Sequence, residues 1–257
     1  MHRETKTFRI LLLATLALCL AIGTGGCSRS GIDHPLVVYS GKGLSNAMEE
    51  AKTAFQQRHK IPVTIIYAGS DTLLSTIQRT RRGDIFIPGS ATYIQRAGDL
   101  IRSDKYVADH IPAFIVRADN PKNLQTFADL LADGVKLAVG NKDMCAIGRV
   151  AEKIIAASDQ QAAFRKNIVI TGSTVNELLQ LVNDREVDAA LAWTDMLKWP
   201  GAAGLRGVAI PEAINSPKEI RVTVLAFSTD AQRAALFADF LTTEGKAIFT
   251  RHGFGVR

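Results

Sequence analysis

The chain has 257 residues, 47% of them hydrophobic and 22% charged, which excludes a mostly disordered polypeptide and allows one large folded unit or two modest ones with full cores. Three cysteines and five scattered histidines exclude a zinc-type cluster. The formal charge of +6 comes from basic residues spread along the chain, apart from Arg79, Arg81 and Arg82. It therefore lacks the one-faced concentration of a nucleic-acid binder.

The N-terminus reads as a targeting segment over residues 1–26. Arg3, Lys6 and Arg9 form a basic start, and the stretch from Ile10 to Ile22 is almost wholly apolar. That run is short for a membrane span, which needs about 20 residues, and has the length of a secretory-signal core. It leads into Gly23-Thr24-Gly25-Gly26-Cys27. Small residues before a cysteine resemble a bacterial lipobox, with Thr24 where a leucine is usual. The expectation is a lipid anchor on Cys27 of the exported protein, followed by a tether over 27–35. Two acyl chains hold a protein on a membrane where one does not. Removing residues 1–26 lowers the formal charge to +4. It also leaves Cys145 as the one thiol not lost or lipidated, and no histidine lies near it in sequence, so it reads as a small hydrophobe.

Beyond the tether, strands and helices alternate. Leu36 to Tyr39 is an apolar strand running into Ser40-Gly41-Lys42-Gly43. Leu44, Met48, Ala51 and Phe55 then repeat at helical spacing. Val63 to Tyr67 is a second strand, ending at Ala68-Gly69-Ser70-Asp71 ahead of a helix with Leu73, Leu74 and Ile77. Asp84 to Ile87 is a third, ending at Pro88-Gly89-Ser90, with Asp84 read as structural. The pattern predicts a mainly parallel sheet with crossover helices. In such sheets ligands sit beyond the carboxyl ends of strands, and a helix N-terminus offers unpaired N–H groups to an anion. Glycine and serine at three successive strand ends suit that use, although each is also an ordinary turn or cap residue.

The second half repeats the theme. Ala113 to Arg117 is a strand, a helix follows around Phe127 to Leu131, and Val135 to Val139 is a strand ending at Gly140-Asn141. A turn through Met144-Cys145-Ala146-Ile147-Gly148 opens a helix from Arg149. Ile168 to Ile170 leads through Thr171-Gly172-Ser173-Thr174 into a helix over Val175 to Asn183. Ala189 to Trp193 and Arg221 to Phe227 are further strands, and one helix is predicted over Ala231 to Arg251. Two lobes are expected: 36–113 plus 222–257, and 114–221.

In register, these pieces resemble the type II periplasmic solute-binding proteins, in particular their molybdate/tungstate-binding branch. The resemblance rests on Val37 to Met48, Tyr67 to Leu73, Gly83 to Ile87, Leu137 to Ala151, and the C-terminal pattern from Phe237 through Gly253-Phe254. It implies a two-lobed α/β fold with a cleft, no enzymatic chemistry and no cofactor. It further implies a monomer that captures a small oxyanion, with no free metal cation, for an ABC permease and its ATPase.

Carried over residue by residue, Ser70 matches a family serine. Ile147 and Val175 fall where backbone N–H groups meet the ligand, and Trp193 stands where many relatives place a tyrosine. Gly43 replaces another family serine, with Ser40 and Lys42 close by, so Ser40, Thr194 or the indole N–H would have to compensate. Phosphate, sulfate or an organic anion remain alternative ligands. Ferric iron fits poorly, because the four tyrosines are dispersed. An exported hydrolase is the other class, but Gly-x-Ser-x-Gly is absent and neither His59 nor His110 sits in a catalytic motif.

Overall fold

The computed structural model describes residues 34–257. The expected signal, Cys27 and most of the tether lie outside the described residues. Pro35–Arg257 form one compact unit built around two sheets.

The first sheet opens with β1 (Leu36–Gly41), which leads through a single 3-10 turn into α1 (Ser45–His59). Then come β2 (Val63–Ala68), α2 (Ser70–Thr80), β3 (Ile85–Ile87), α3 (Thr92–Ala97) and β4 (Ile101–His110). β1 reads as a continuous apolar run because both its faces are covered. Leu36 and Val38 pack into one core, and Tyr39 packs into a second on the opposite face. In α1, Ala47, Met48, Ala51 and Phe55 are buried, and the Phe55 ring meets Phe237 edge-on at 4.8 Å between centroids. The turn into β3 requires Gly83, whose φ is +104° and whose added Cβ would lie 2.4 Å from the Tyr39 ring. Asp84, at the start of β3, is a tie between strands: its carboxylate accepts from Val37 N–H at 2.9 Å and from the Ser228 hydroxyl at 2.6 Å.

The chain leaves for the second sheet through Ile111. There it forms β5 (Pro112–Arg117), α4 (Phe127–Leu130), β6 (Leu137–Gly140), α5 (Ala146–Ala157) and α6 (Gln161–Asn167). β7 (Ile168–Gly172), α7 (Val175–Asn183), β8 (Ala189–Trp193) and β9 (Leu205–Ala209) follow, with two short 3-10 turns before β9. The chain then returns as β10 (Lys218–Leu225) to the first sheet and ends in α8 (Ala231–Thr242) and α9 (Gly245–Arg251). The crossings thus fall at Ile111 and between Ala209 and Lys218, a few residues ahead of the 113/114 and 221/222 borders expected from the sequence.

The strand orders are β2-β1-β3-β10-β4 and β7-β6-β8-β5-β9. β1 pairs in parallel with β2 and β3, and β6 with β7 and β8. β10 and β5 are antiparallel to both their neighbours. Each sheet is therefore parallel on one side and antiparallel on the other, where a mainly parallel arrangement was expected. The reason is the crossing: β5 and β10 are the strands that enter a sheet from the other one, so they run against it, and apolar pattern does not encode direction.

Two strands went unread in the sequence. β4 carries the exposed run Arg102 to Lys105, and β9 is short and interrupted by Gly207. The last helix breaks in two at Thr243, whose φ and ψ of −117° and −91° are not helical.

Candidate functional site

The two sheets present the carboxyl ends of their parallel strands to a shared cleft. On the first sheet, Gly41 ends β1, Ser70 opens α2 directly after β2, and Gly89 follows β3. These ends approach closely: a Cβ on Gly41 would lie 3.1 Å from the Gly89 nitrogen. The Ser70 hydroxyl oxygen accepts from Gly89 N–H at 3.1 Å. That bond fixes the oxygen and leaves the hydroxyl hydrogen to be donated elsewhere. The first N–H groups of α2 have no partner within the helix, so Ser70 stands beside backbone donors of the same sense.

The second sheet contributes two helix starts. Cys145 is the N-cap residue of α5, with Ala146 and Ile147 in its first turn. Gly148 must be a glycine here, because a Cβ would lie 2.4 Å from the Gly140 carbonyl oxygen and from the Asn141 carbonyl carbon. Burial pushes the Cys145 thiol up, while the N–H groups of Gly148 and Ile147 pull against that shift. The thiol thus rests against the Ile147 N–H, which the family resemblance expects to meet a ligand. α7 begins at Val175 with Thr174 as its cap; Thr174 Oγ1 accepts from Glu177 N–H at 3.2 Å. Glu177 in turn accepts from Ser173 N–H at 2.7 Å.

Two cavities flank these ends, and each is lined from both sheets. One, of about 690 Å³, is bounded by Lys42, Gly43 and Asn46 on one side and Val175, Leu179 and Trp199 on the other. The second, of about 320 Å³, is bounded by Asp71, Ser90 and Tyr93 facing Ala146 and Arg149. Across it the Arg149 guanidinium donates to the Tyr93 hydroxyl at 3.3 Å. Arg96 at 2.7 Å and the Tyr93 hydroxyl at 2.8 Å hold the Asp71 carboxyl below the usual carboxylate range.

The structure places Lys42, Gly43 and Val175 around the larger cavity, and Ser70 and Ile147 at helix starts whose chain neighbours Asp71 and Ala146 line the smaller one. It encloses the other two expected residues. Ser40 is fully buried on β1, and its hydroxyl has no hydrogen-bond partner. The Trp193 indole is 4% exposed and stacks on His110, with 4.1 Å between centroids. His110 Nε2 lies 2.7 Å from Asp195 Oδ1 in a buried pair, although off the line of a good hydrogen bond. Trp193 thus packs where the chain crosses between sheets, and Thr194 beside it donates its hydroxyl to the Gly253 carbonyl at 3.0 Å.

Tyr93, Arg96, Lys153, Lys218 and Trp199 were not anticipated. Arg149 and Lys153 share a face of α5 at i, i+4 spacing, a signal present in the sequence; nothing local points to Lys218. Among the described residues no group of three or more His, Cys, Asp or Glu side chains is placed to hold a metal. Nor is any helix among them long and apolar enough to cross a membrane.

Comparison with known proteins agrees with this architecture. Residues 36–255 match the family model for bacterial extracellular solute-binding proteins. A Haemophilus influenzae protein described as a binding protein is 30% identical over 228 residues, covering 85% of this chain and 90% of that one. The Escherichia coli molybdate-binding protein ModA is 23% identical over 257 residues, covering 96% and 97%. Among solved structures, a substrate-binding domain assigned to a molybdenum ABC transporter of Clostridium difficile superposes with a TM-score of 0.78 at 21% identity, covering 87% of this chain and 99% of that one. With two α/β sheets meeting at a cleft lined by strand ends, the chain belongs to the bacterial extracellular solute-binding proteins and has the type II periplasmic binding fold.

Proposed function

We propose that this protein captures a tetrahedral oxyanion between its two lobes and delivers it to an ABC permease and its ATPase. The observation that carries this reading is the convergence of Ser70, with its oxygen fixed by Gly89 N–H, and the starts of α5 and α7 on one cleft. Dipoles of that kind bind an anion without a full counter-charge. Hydrogen bonds to a charged group contribute about 1.5–3 kcal/mol each. Five or six, less the cost of closure, reach micromolar affinity or better. Molybdate or tungstate is the leading ligand, by likeness to a relative named for molybdate. Phosphate, sulfate or the tetrahedral head of an organic anion would use the same donors, and the glycine at position 43 in place of a family serine favours keeping them in view.

The lobes of this reading are 36–113 with 222–257, and 114–221, each holding most of one sheet, with the borders cutting into the starts of β5 and β10. The protein acts as a monomer without a cofactor. It is exported, and Cys27 carries the lipid that anchors it once residues 1–26 are removed.

Calorimetric titration of molybdate, tungstate, sulfate and phosphate into the mature domain tests the function; no binding of any of them would overturn it. For the anchor, Cys27→Ala is expected to release the protein from membranes or to block its maturation. Unchanged membrane partitioning and mass would remove the anchor.

A further inference from the structure

The smaller cavity carries charge that a lone oxyanion does not need. Arg96, Arg149, Lys153 and Lys218 line it, against the single carboxylate of Asp71. That carboxylate is already held by Arg96 and the Tyr93 hydroxyl. Lys218 comes from β10 in the first sheet and Lys153 from α5 in the second. Lys218 is half-buried and donates to the Ser216 hydroxyl at 3.1 Å. Burial, and then the nearness of the Lys153 ammonium, pull its pKa down. Among the groups acting on Lys218 there is no carboxylate. Two ammonium groups brought to one cavity from different sheets repel each other, although Lys153 is exposed and only Lys218 is partly buried. An anion placed between them turns that repulsion into attraction.

Position and size point the same way. Asp71, Ser90 and Ala146, which line this cavity, are the chain neighbours of Ser70, Gly89 and Ile147. The cationic cavity therefore adjoins the donors of the proposed oxyanion site. Its volume of about 320 Å³ equals roughly ten water molecules at ~30 Å³ each, so a tetrahedral ion at the donors leaves most of it unfilled. It is also within the range of pockets that hold small organic ligands.

We infer that this cavity is a second anion subsite, so that among organic anions with a tetrahedral head the cleft favours those carrying a carboxylate a few atoms away. The head meets Ser70 and the helix starts; the carboxylate bridges Lys153 and Lys218 beside Arg149. This rests on the oxyanion reading above and names the class of ligand for the same cleft, with inorganic oxyanions filling the head position alone.

Two phosphate monoesters that differ in the second group give the test. Phosphoglycolate carries a carboxylate; methyl phosphate does not. Calorimetry on the mature protein should find phosphoglycolate at least tenfold tighter than methyl phosphate. In Lys153→Gln/Lys218→Gln that gap should close to less than threefold, with the affinity for inorganic phosphate or molybdate changing less than threefold, which also shows that the variant is folded. A parent protein with equal affinity for the two esters, or with a gap that survives the double substitution, overturns the subsite. So does a parent that binds inorganic oxyanions and neither ester. If the parent binds neither the inorganic oxyanions nor the esters, the oxyanion reading itself falls, and the subsite with it.

Discussion

Ser70 shows how a small side chain is aimed. Its oxygen accepts from Gly89 N–H, which holds the side chain in place and leaves the hydroxyl hydrogen free to be donated. Replacing it with alanine removes one charge-assisted donor and is expected to weaken oxyanion binding by about 1.5–3 kcal/mol, roughly ten- to a hundredfold in Kd. Titration of the variant beside the parent reads this directly, and unchanged affinity would take Ser70 out of the site. Ile147 offers the contrasting case. Its side chain is fully buried in the second core, and in the proposed site only its N–H would meet the ligand. Ile147→Val keeps that donor and should alter affinity less than threefold, while costing about 0.5–1.5 kcal/mol of stability by denaturant titration.

The loop between β6 and α5 is set at the scale of elements. Gly140 ends the strand and Gly148 lies in the first turn of the helix, and their backbones touch. Gly148→Ala would place a methyl group 2.4 Å from main-chain atoms of Gly140 and Asn141, which cannot rotate away. The expected result is a loss of about 1–3 kcal/mol in stability, with weaker ligand binding because the N–H groups of α5 move. A urea midpoint equal to that of the parent would contradict this packing. α7 is held more conventionally, by the Thr174 cap and the Glu177 side chain, an arrangement that the residues Ser173-Thr174 and Glu177 announce in the sequence.

At the scale of the molecule, two strands, β5 and β10, each belong to the middle of a sheet and lie beside a crossing between sheets. A change in the angle between the sheets is therefore concentrated near Ile111 and between Ala209 and Lys218. The stacked His110 and Trp193 rings, 4.1 Å apart, pack at the first of these crossings. If the ligand draws the two halves together, saturating oxyanion should lower the radius of gyration in solution scattering. At a hundred times Kd it should also raise unfolding stability by about 2.7 kcal/mol. A stability gain without compaction would mean that the cleft is already closed when empty.

The sequence by itself determined the local grammar of this protein. Apolar runs at β1, β3 and β8 mark strands covered on both faces. The spacing of Met48, Ala51 and Phe55 marks a helix, and the small residues after each strand mark where a ligand can approach backbone. These properties depend on neighbours within a few positions, so they are written in order along the chain. Tertiary structure alone decided the rest. The direction of β5 and β10 depends on which sheet the chain has just left. β4 is a strand despite its polar run because β10 pairs with it. Ser40 and Trp193 are enclosed by segments far away in sequence. Lys153 and Lys218, 65 positions apart in the chain, line one cavity only because the fold sets α5 beside the start of β10.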